Sequence, residues 1–152
     1  MKKFKIFLLL LILGSGLFAD TLMNVFDVPL DCELNLAVKI LKDKGFKVND
    51  IEYYKHREQI IITLISDKGV NFHSSKINYL RCYFTENELH HIYFEGKCLN
   101  YDEFEKSIIA TFSDLKVEKF FCDYTYRDPY SKRILLVTNI RNDLKLTFTT
   151  DH

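Results

Sequence analysis

The chain lacks most of the short signals that announce chemistry. It contains only 5 Gly in 152 residues. None belongs to a glycine-rich run that could cradle a phosphate. Its 4 Cys stand apart: Cys32, Cys82, Cys98 and Cys122 have no C-x-x-C pairing, which argues against a zinc or redox-active site. No Gly-x-Ser-x-Gly elbow surrounds Ser74-Ser75. Charge of one sign is missing as well, with 21 basic against 21 acidic residues. The basic footprint that holds nucleic-acid phosphates is therefore absent. With 2 Pro and no low-complexity tract, nothing suggests a disordered tail.

What is present begins with one long apolar run. Lys2, Lys3 and Lys5 precede Ile6–Phe18, and Ala19 stands before Asp20, the layout of a secretory signal peptide over residues 1–19. A membrane anchor needs about 20 apolar residues; this run is shorter, and Gly14-Ser15-Gly16 interrupts it. Cleavage is expected after Ala19, with a cut after Gly16 as the alternative. No cysteine follows closely enough to carry a lipid, and no second apolar run long enough to span a membrane follows. The chain is thus expected to be exported, to a periplasm or the extracellular space. Removing Lys2, Lys3 and Lys5 leaves eighteen basic against 21 acidic residues, a net −3. In an oxidising compartment the four cysteines read as disulfides, with three connectivities open.

Aromatic residues are abundant, 13 Phe and 9 Tyr, as in strand-rich folded proteins. Leu34, Ala37, Val38 and Leu41 share one helix face, with Asp31 placed as N-cap and Gly45 as terminator. This predicts a helix over 32–44. Strand character follows at Val48–Tyr54, Gln59–Ile65, Ile77–Phe84 and Leu89–Phe94. In the third, Leu80, Cys82 and Phe84 alternate with Tyr79, Arg81 and Tyr83. The order then restarts. Asn100 and Glu103 make a capping box, and Phe104, Ile108, Phe112 and Leu115 share a helix face. Strands are expected at Val117–Tyr126, Ile134–Ile140 and Leu144–Thr150.

The fold expectation is α+β: one domain over 20–152, with two helix-plus-antiparallel-meander units, α-β-β-β-β then α-β-β-β, at 20–97 and 98–152. The helices would pack on one sheet face. Under that arrangement Cys32–Cys82 and Cys98–Cys122 would each staple a helix start to its own sheet, contributing about 3–4 kcal/mol apiece.

Candidate chemistry is sparse. His90 and His91 are strand neighbours, which point to opposite faces and cannot easily share a metal; His56, His73 and His152 stand alone. Asp102-Glu103 suit the first turn of a helix. No catalytic, metal or cofactor residues emerge. Two connections do stand out as tyrosine-rich and cationic: Tyr53, Tyr54 and Arg57 in the first unit, and Tyr124, Tyr126, Arg127 and Tyr130 in the second. Tyr and Arg are the residues most often found as binding anchors. The competing reading is that these are strand ends whose rings cover the sheet.

The stretch Phe26-Asp27-Val28-Pro29-Leu30-Asp31-Cys32, followed by Ala37 to Phe46, resembles the opening of small exported bacterial α+β proteins, with Asp31 in place of their usual glycine. The doubled helix-plus-meander order also looks like the tandem repeats of secreted β-lactamase inhibitor proteins. The first likeness implies a fold type, the second a protein-binding role. The function expected is an exported, non-catalytic binding or interaction module of the bacterial envelope, with a protein or envelope component as partner. The alternative is a small periplasmic ligand-binding protein or hydrolase with a pocket between helix and sheet.

Overall fold

The computed structural model describes residues 24–112 and 114–150; the signal-peptide reading of residues 1–19 lies outside them. Alternating strands build most of the molecule. Strands β1 (Lys47–Tyr54), β2 (Gln59–Phe72), β3 (Ser75–Thr85) and β4 (Glu88–Cys98) form one meander. A second comprises β5 (Lys116–Phe120), β6 (Asp123–Arg127), β7 (Arg133–Ile140) and β8 (Asp143–Thr150). Helix α1 (Leu34–Asp43) precedes β1, and α2 (Tyr101–Thr111) links β4 to β5. The strand order is β1-β2-β3-β4-β8-β7-β6-β5. At the centre β4 pairs antiparallel with β8, setting Ile92 opposite Phe148 and Phe94 opposite Leu146.

The expected fold class is thereby corrected. The molecule is dominated by one continuous eight-stranded antiparallel sheet with two short helices, not by two helix-plus-meander units. Alternation within a strand reveals which face is buried, but carries no information about its lateral neighbour. A free-standing meander exposes unpaired backbone groups along both edges, and here β4 and β8 satisfy one edge of each. The expected boundary between 97 and 98 falls inside β4, whose Cys98 N–H donates to the Asn142 carbonyl at 2.9 Å. The expected single strand Val117–Tyr126 is two strands, reversing at Phe121-Cys122. No glycine or asparagine marks that turn, and Phe121 itself adopts the left-handed φ of 54°. The β3–β4 and β7–β8 turns do carry the signal, with Asn87 at φ 70° and Asn142 at φ 73°.

The sheet has one covered face. Leu80, Cys82, Phe84, Ile92, Phe94, Leu135, Val137, Leu146 and Phe148 all point there and are buried. Ala37 and Leu41 of α1 and Phe104 and Ile108 of α2 join the same core. The segment before α1 completes it. Val25 and Val28 close a tight turn that drives Phe26 between Phe46, Phe72 and Phe94, with ring centroids 5.2–5.6 Å away.

Local signals explain both helices, with one correction. Asn100 caps α2 by accepting from the Glu103 N–H at 3.3 Å. Gly45, at φ 105°, follows α1 as expected. Asp31 is not the cap of α1, which begins two residues later than expected, at Leu34 after Glu33. The Asp31 N–H instead donates to the Leu89 carbonyl at 2.8 Å, and the Cys32 carbonyl accepts from the Leu89 N–H at 3.0 Å. Sheet hydrogen bonding has claimed the segment that would have been the first turn.

Gly96 in β4 marks a close approach. A Cβ placed there would lie 2.1 Å from the Lys76 carbonyl oxygen and 2.7 Å from Ile77 Cδ1. Backbone of the neighbouring strand cannot yield as a flexible side chain would. Gly96→Ala is therefore expected to destabilise by about 3 kcal/mol and lower the melting temperature by about 10 °C, measured by circular dichroism.

Candidate functional site

The face opposite the core is left uncovered by every described helix and loop, and aromatic side chains concentrate at its centre. Tyr79, Arg81 and Tyr83 rise from β3, and His91, Tyr93 and Glu95 from β4, all half-buried. Their cross-strand pairing sets Tyr83 opposite His91, Arg81 opposite Tyr93 and Tyr79 opposite Glu95. These are the residues of strand alternation that point away from Leu80, Cys82 and Phe84. β2 supplies Ile61 and Thr63 on one side, opposite Tyr83 and Arg81. β8 supplies Thr147 and Thr149 on the other, opposite Tyr93 and His91.

Contacts among these side chains hold them in place. The Tyr83 and His91 rings stack with centroids 3.9 Å apart at 23°, and the Arg81 guanidinium carbon sits 5.8 Å from the Tyr83 ring centre. Arg81 Nη2 pairs with Glu52 Oε1 from β1, and the Tyr54 hydroxyl donates to Glu52 Oε2 at 2.7 Å. The Tyr54 bond first, and Arg81 second, hold the Glu52 carboxyl below its ordinary range. The Tyr93 hydroxyl donates to Glu95; burial first, then that bond, pushes the Tyr93 phenol up. Burial first, then the neighbouring His90, pulls the His91 imidazole down, so it stacks as the neutral ring. The result is an ordered aromatic surface that carries one guanidinium, Arg81, and two carboxylates, Glu52 and Glu95.

The seven residues expected to bind separate into two places. Tyr53, Tyr54 and Arg57 are exposed at the end of the β1–β2 hairpin. The β6–β7 connection lies at the same end of the sheet, but β3, β4 and β8 stand between the two hairpins. At about 4.8 Å per strand spacing that is roughly 19 Å across the sheet. Asp128 organises the second connection, accepting from the Tyr130 N–H and the Ser131 hydroxyl, each at 2.9 Å. Tyr130 is exposed, its hydroxyl donating to Asp114 at 3.0 Å. Arg127 is half-buried, with its Nε 3.7 Å from Glu118. Tyr124 and Tyr126 point into the covered face. Tyr124 packs against Tyr101 with ring centroids 4.4 Å apart. Tyr126 is fully buried, its hydroxyl 2.8 Å from that of Tyr101, and burial pushes its phenol up to about 12. Tyr54 alone of the seven belongs to the network on the open face.

All four cysteines are free thiols. Cys82 and Cys32 are near neighbours; burial of Cys82 first, and then Cys32, pushes the Cys82 thiol up. Cys98 and Cys122 stand on either side of β8 and β7, too far apart in strand order for the separation a disulfide requires. No group of acidic, histidine and cysteine side chains among the described residues could hold a metal. His73, in the left-handed turn between β2 and β3, has its Nδ1 2.8 Å from the Ser107 hydroxyl of α2. Three phenylalanines, Phe72, Phe104 and Phe112, ring its imidazole with centroids 4.6–6.1 Å away. This histidine clamps α2 to the turn, and among the described residues no carboxylate orients it as a base. A cleft of about 560 Å³ lies between α1 and β1, lined by Leu34, Val38, Val48 and Ile51 with Lys39 and Lys42.

Two predictions follow from these placements. Tyr126→Phe, which removes only the hydroxyl pair, is expected to cost about 1 kcal/mol in a denaturant melt, whereas Tyr126→Ala costs about 3–5 kcal/mol. The second concerns pH. Burial lowers the His73 and His91 pKa values from the ordinary 6.5, so the folded state favours the neutral rings. Their contribution is complete above about 6.5 and is lost as pH falls from there toward the lowered folded values, where the unfolded chain takes up more protons. The melting temperature should thus fall between about pH 7 and pH 5. His73→Asn, suited to the left-handed turn, should flatten that slope.

No family model, no curated protein and no solved structure matches this chain.

Proposed function

We propose that the protein is an exported, non-catalytic binding module that engages a protein partner through the open face of its sheet. One observation carries this reading: the row Tyr79, Arg81, Tyr83, His91 and Tyr93 is ordered by its own contacts, yet no described element covers it. Aromatic and arginine side chains already held in place contribute contact area while losing little further freedom on binding. Arg81 Nε is enclosed without an acceptor, a donor that an acceptor from a partner would satisfy after a small shift of the side chain. The lysine-led apolar run before Asp20 supports export. The ligand-binding alternative rests on the α1–β1 cleft, whose apolar lining with Lys39, Lys42 and Asp43 would suit a small amphiphile with an anionic group.

The test is affinity capture from the envelope fraction of the native cell with the wild-type chain and with Arg81→Ala/Tyr93→Ala. A protein partner retained by the wild type and lost by the double variant, with folding intact, is the expected outcome. Equal retention by both would move the site away from the open face. Absence of any protein partner, with a small anion bound that Lys39→Glu displaces, would instead favour the cleft.

A further inference from the structure

The turn between β1 and β2 gathers positive charge around one cavity. Tyr54 pairs with Gln59 across the hairpin, which leaves Lys55, His56, Arg57 and Glu58 to close it. Lys55–Arg57 form a short turn of 3-10 helix, and Glu58, at φ 49°, donates its N–H to the Lys55 carbonyl at 3.4 Å. Strand alternation brings Gln59, Ile61 and Tyr83 to the open face beside that turn, with Ile61 directly opposite Tyr83. Together with Tyr54, Lys55, His56 and Arg57 they line a cavity of about 490 Å³. That volume lies in the range that holds small ligands.

Charge sets this cavity apart. Four other clefts also offer lysine, and each supplies a carboxylate of its own: Asp43, Asp128, Asp143 and Asp67. Here the lining carries three basic side chains and no acid. Glu52, on the same face, is already engaged by Tyr54 and Arg81. Glu58 and Glu86, in this turn and the next, are exposed and stand outside the lining. Among the described residues no carboxylate forms an ion pair with Lys55, His56 or Arg57. The aromatic walls are held in advance. Tyr83 stacks on His91 with ring centroids 3.9 Å apart, and the Tyr54 hydroxyl donates to Glu52 at 2.7 Å. A ligand would therefore order little that is not already ordered.

We infer that this cavity binds a phosphate monoester carried on a small ring. A single carboxylate would neutralise only one of the basic side chains. A phosphate monoester brings about two negative charges and three acceptor oxygens, to which lysine, arginine and an imidazole N–H can all donate. Two tyrosine rings and the buried Ile61 offer apolar surface to the ring that carries the phosphate. The site needs Tyr83 in place but no occupant on the open face, so it stands or falls separately from the partner reading.

The test is isothermal titration calorimetry of the protein as the native cell produces it, with phenyl phosphate, glucose 6-phosphate and inorganic phosphate. At least one ring phosphate should bind saturably and about tenfold or more tighter than inorganic phosphate; the tighter of the two identifies the ring as aromatic or sugar. Lys55→Gln/Arg57→Gln, at exposed positions, should leave the circular dichroism melt unchanged and weaken that binding by about tenfold or more. The His56 imidazole resonances should move as the wild type is titrated. No saturable binding of either ring phosphate, equal affinity for inorganic phosphate, or unchanged affinity in the double variant overturns the inference. So does binding that Lys39→Glu abolishes and the double variant keeps; that result would assign the anion to the α1–β1 cleft.

Discussion

The pairing of β4 with β8 carries the rest of the structure. Each four-stranded meander on its own would expose two rows of unpaired backbone N–H and C=O groups, and this seam removes one row from each. It also makes the core continuous. Ile92 and Phe94 from one meander face Phe148 and Leu146 from the other, all fully buried. Phe26 from the N-terminal segment reaches Phe94, while Tyr101 of α2 reaches Tyr126 of β6. Burial on both sides of the seam is of the kind that yields roughly 25 cal/mol for each Å² of apolar surface removed from water. The same pairing organises the open face, because it brings Thr147 and Thr149 beside Tyr93 and His91.

The molecule separates its surfaces by two independent geometric rules. Alternation along each strand divides a covered apolar face from an open aromatic one. Strand direction sets the exposed Tyr53, Tyr54 and Tyr130 at one end of the sheet and Leu99, Phe120, Phe121 and Ile140 at the other. The core is concentrated on the first face, where two short helices and the Val25–Leu30 segment supply what the sheet cannot bury alone. On the open face the aromatic groups are held by stacking, an ion pair and hydrogen bonds. Histidines are placed as packing elements in both locations, and burial keeps His73 and His91 toward the neutral form.

Several elements were legible in the sequence because their causes are local. Asn100 caps α2, Gly45 ends α1, and Asn87 and Asn142 occupy turns that need left-handed backbone. The alternation of Tyr79, Arg81 and Tyr83 with Leu80, Cys82 and Phe84 already separated the two faces of β3, although nothing local identified the first set as a continuous surface with His91 and Tyr93. The misreadings have equally physical causes. Phe120-Phe121 reads as the middle of a strand, since no local cue distinguishes an exposed apolar turn from a buried run. Asp31 has the chemistry of a cap, but the Leu89 backbone bonds its segment first. Tyr124 and Tyr126 resemble binding residues in composition, and only their position on the covered face shows that they are core.

The sequence by itself determined the periodicities, caps and several of the turns, because each depends on residues within a few positions of one another. Tertiary structure alone decided the lateral order of the strands, and with it the single sheet and the separation of the two tyrosine-rich hairpins. The physical reason is that ladder hydrogen bonds are made by backbone groups that nearly every residue carries alike. The choice between possible neighbours is therefore made by burial summed over the whole sheet, in which Ile92 and Phe94 meet Phe148 and Leu146 across more than fifty residues of intervening chain.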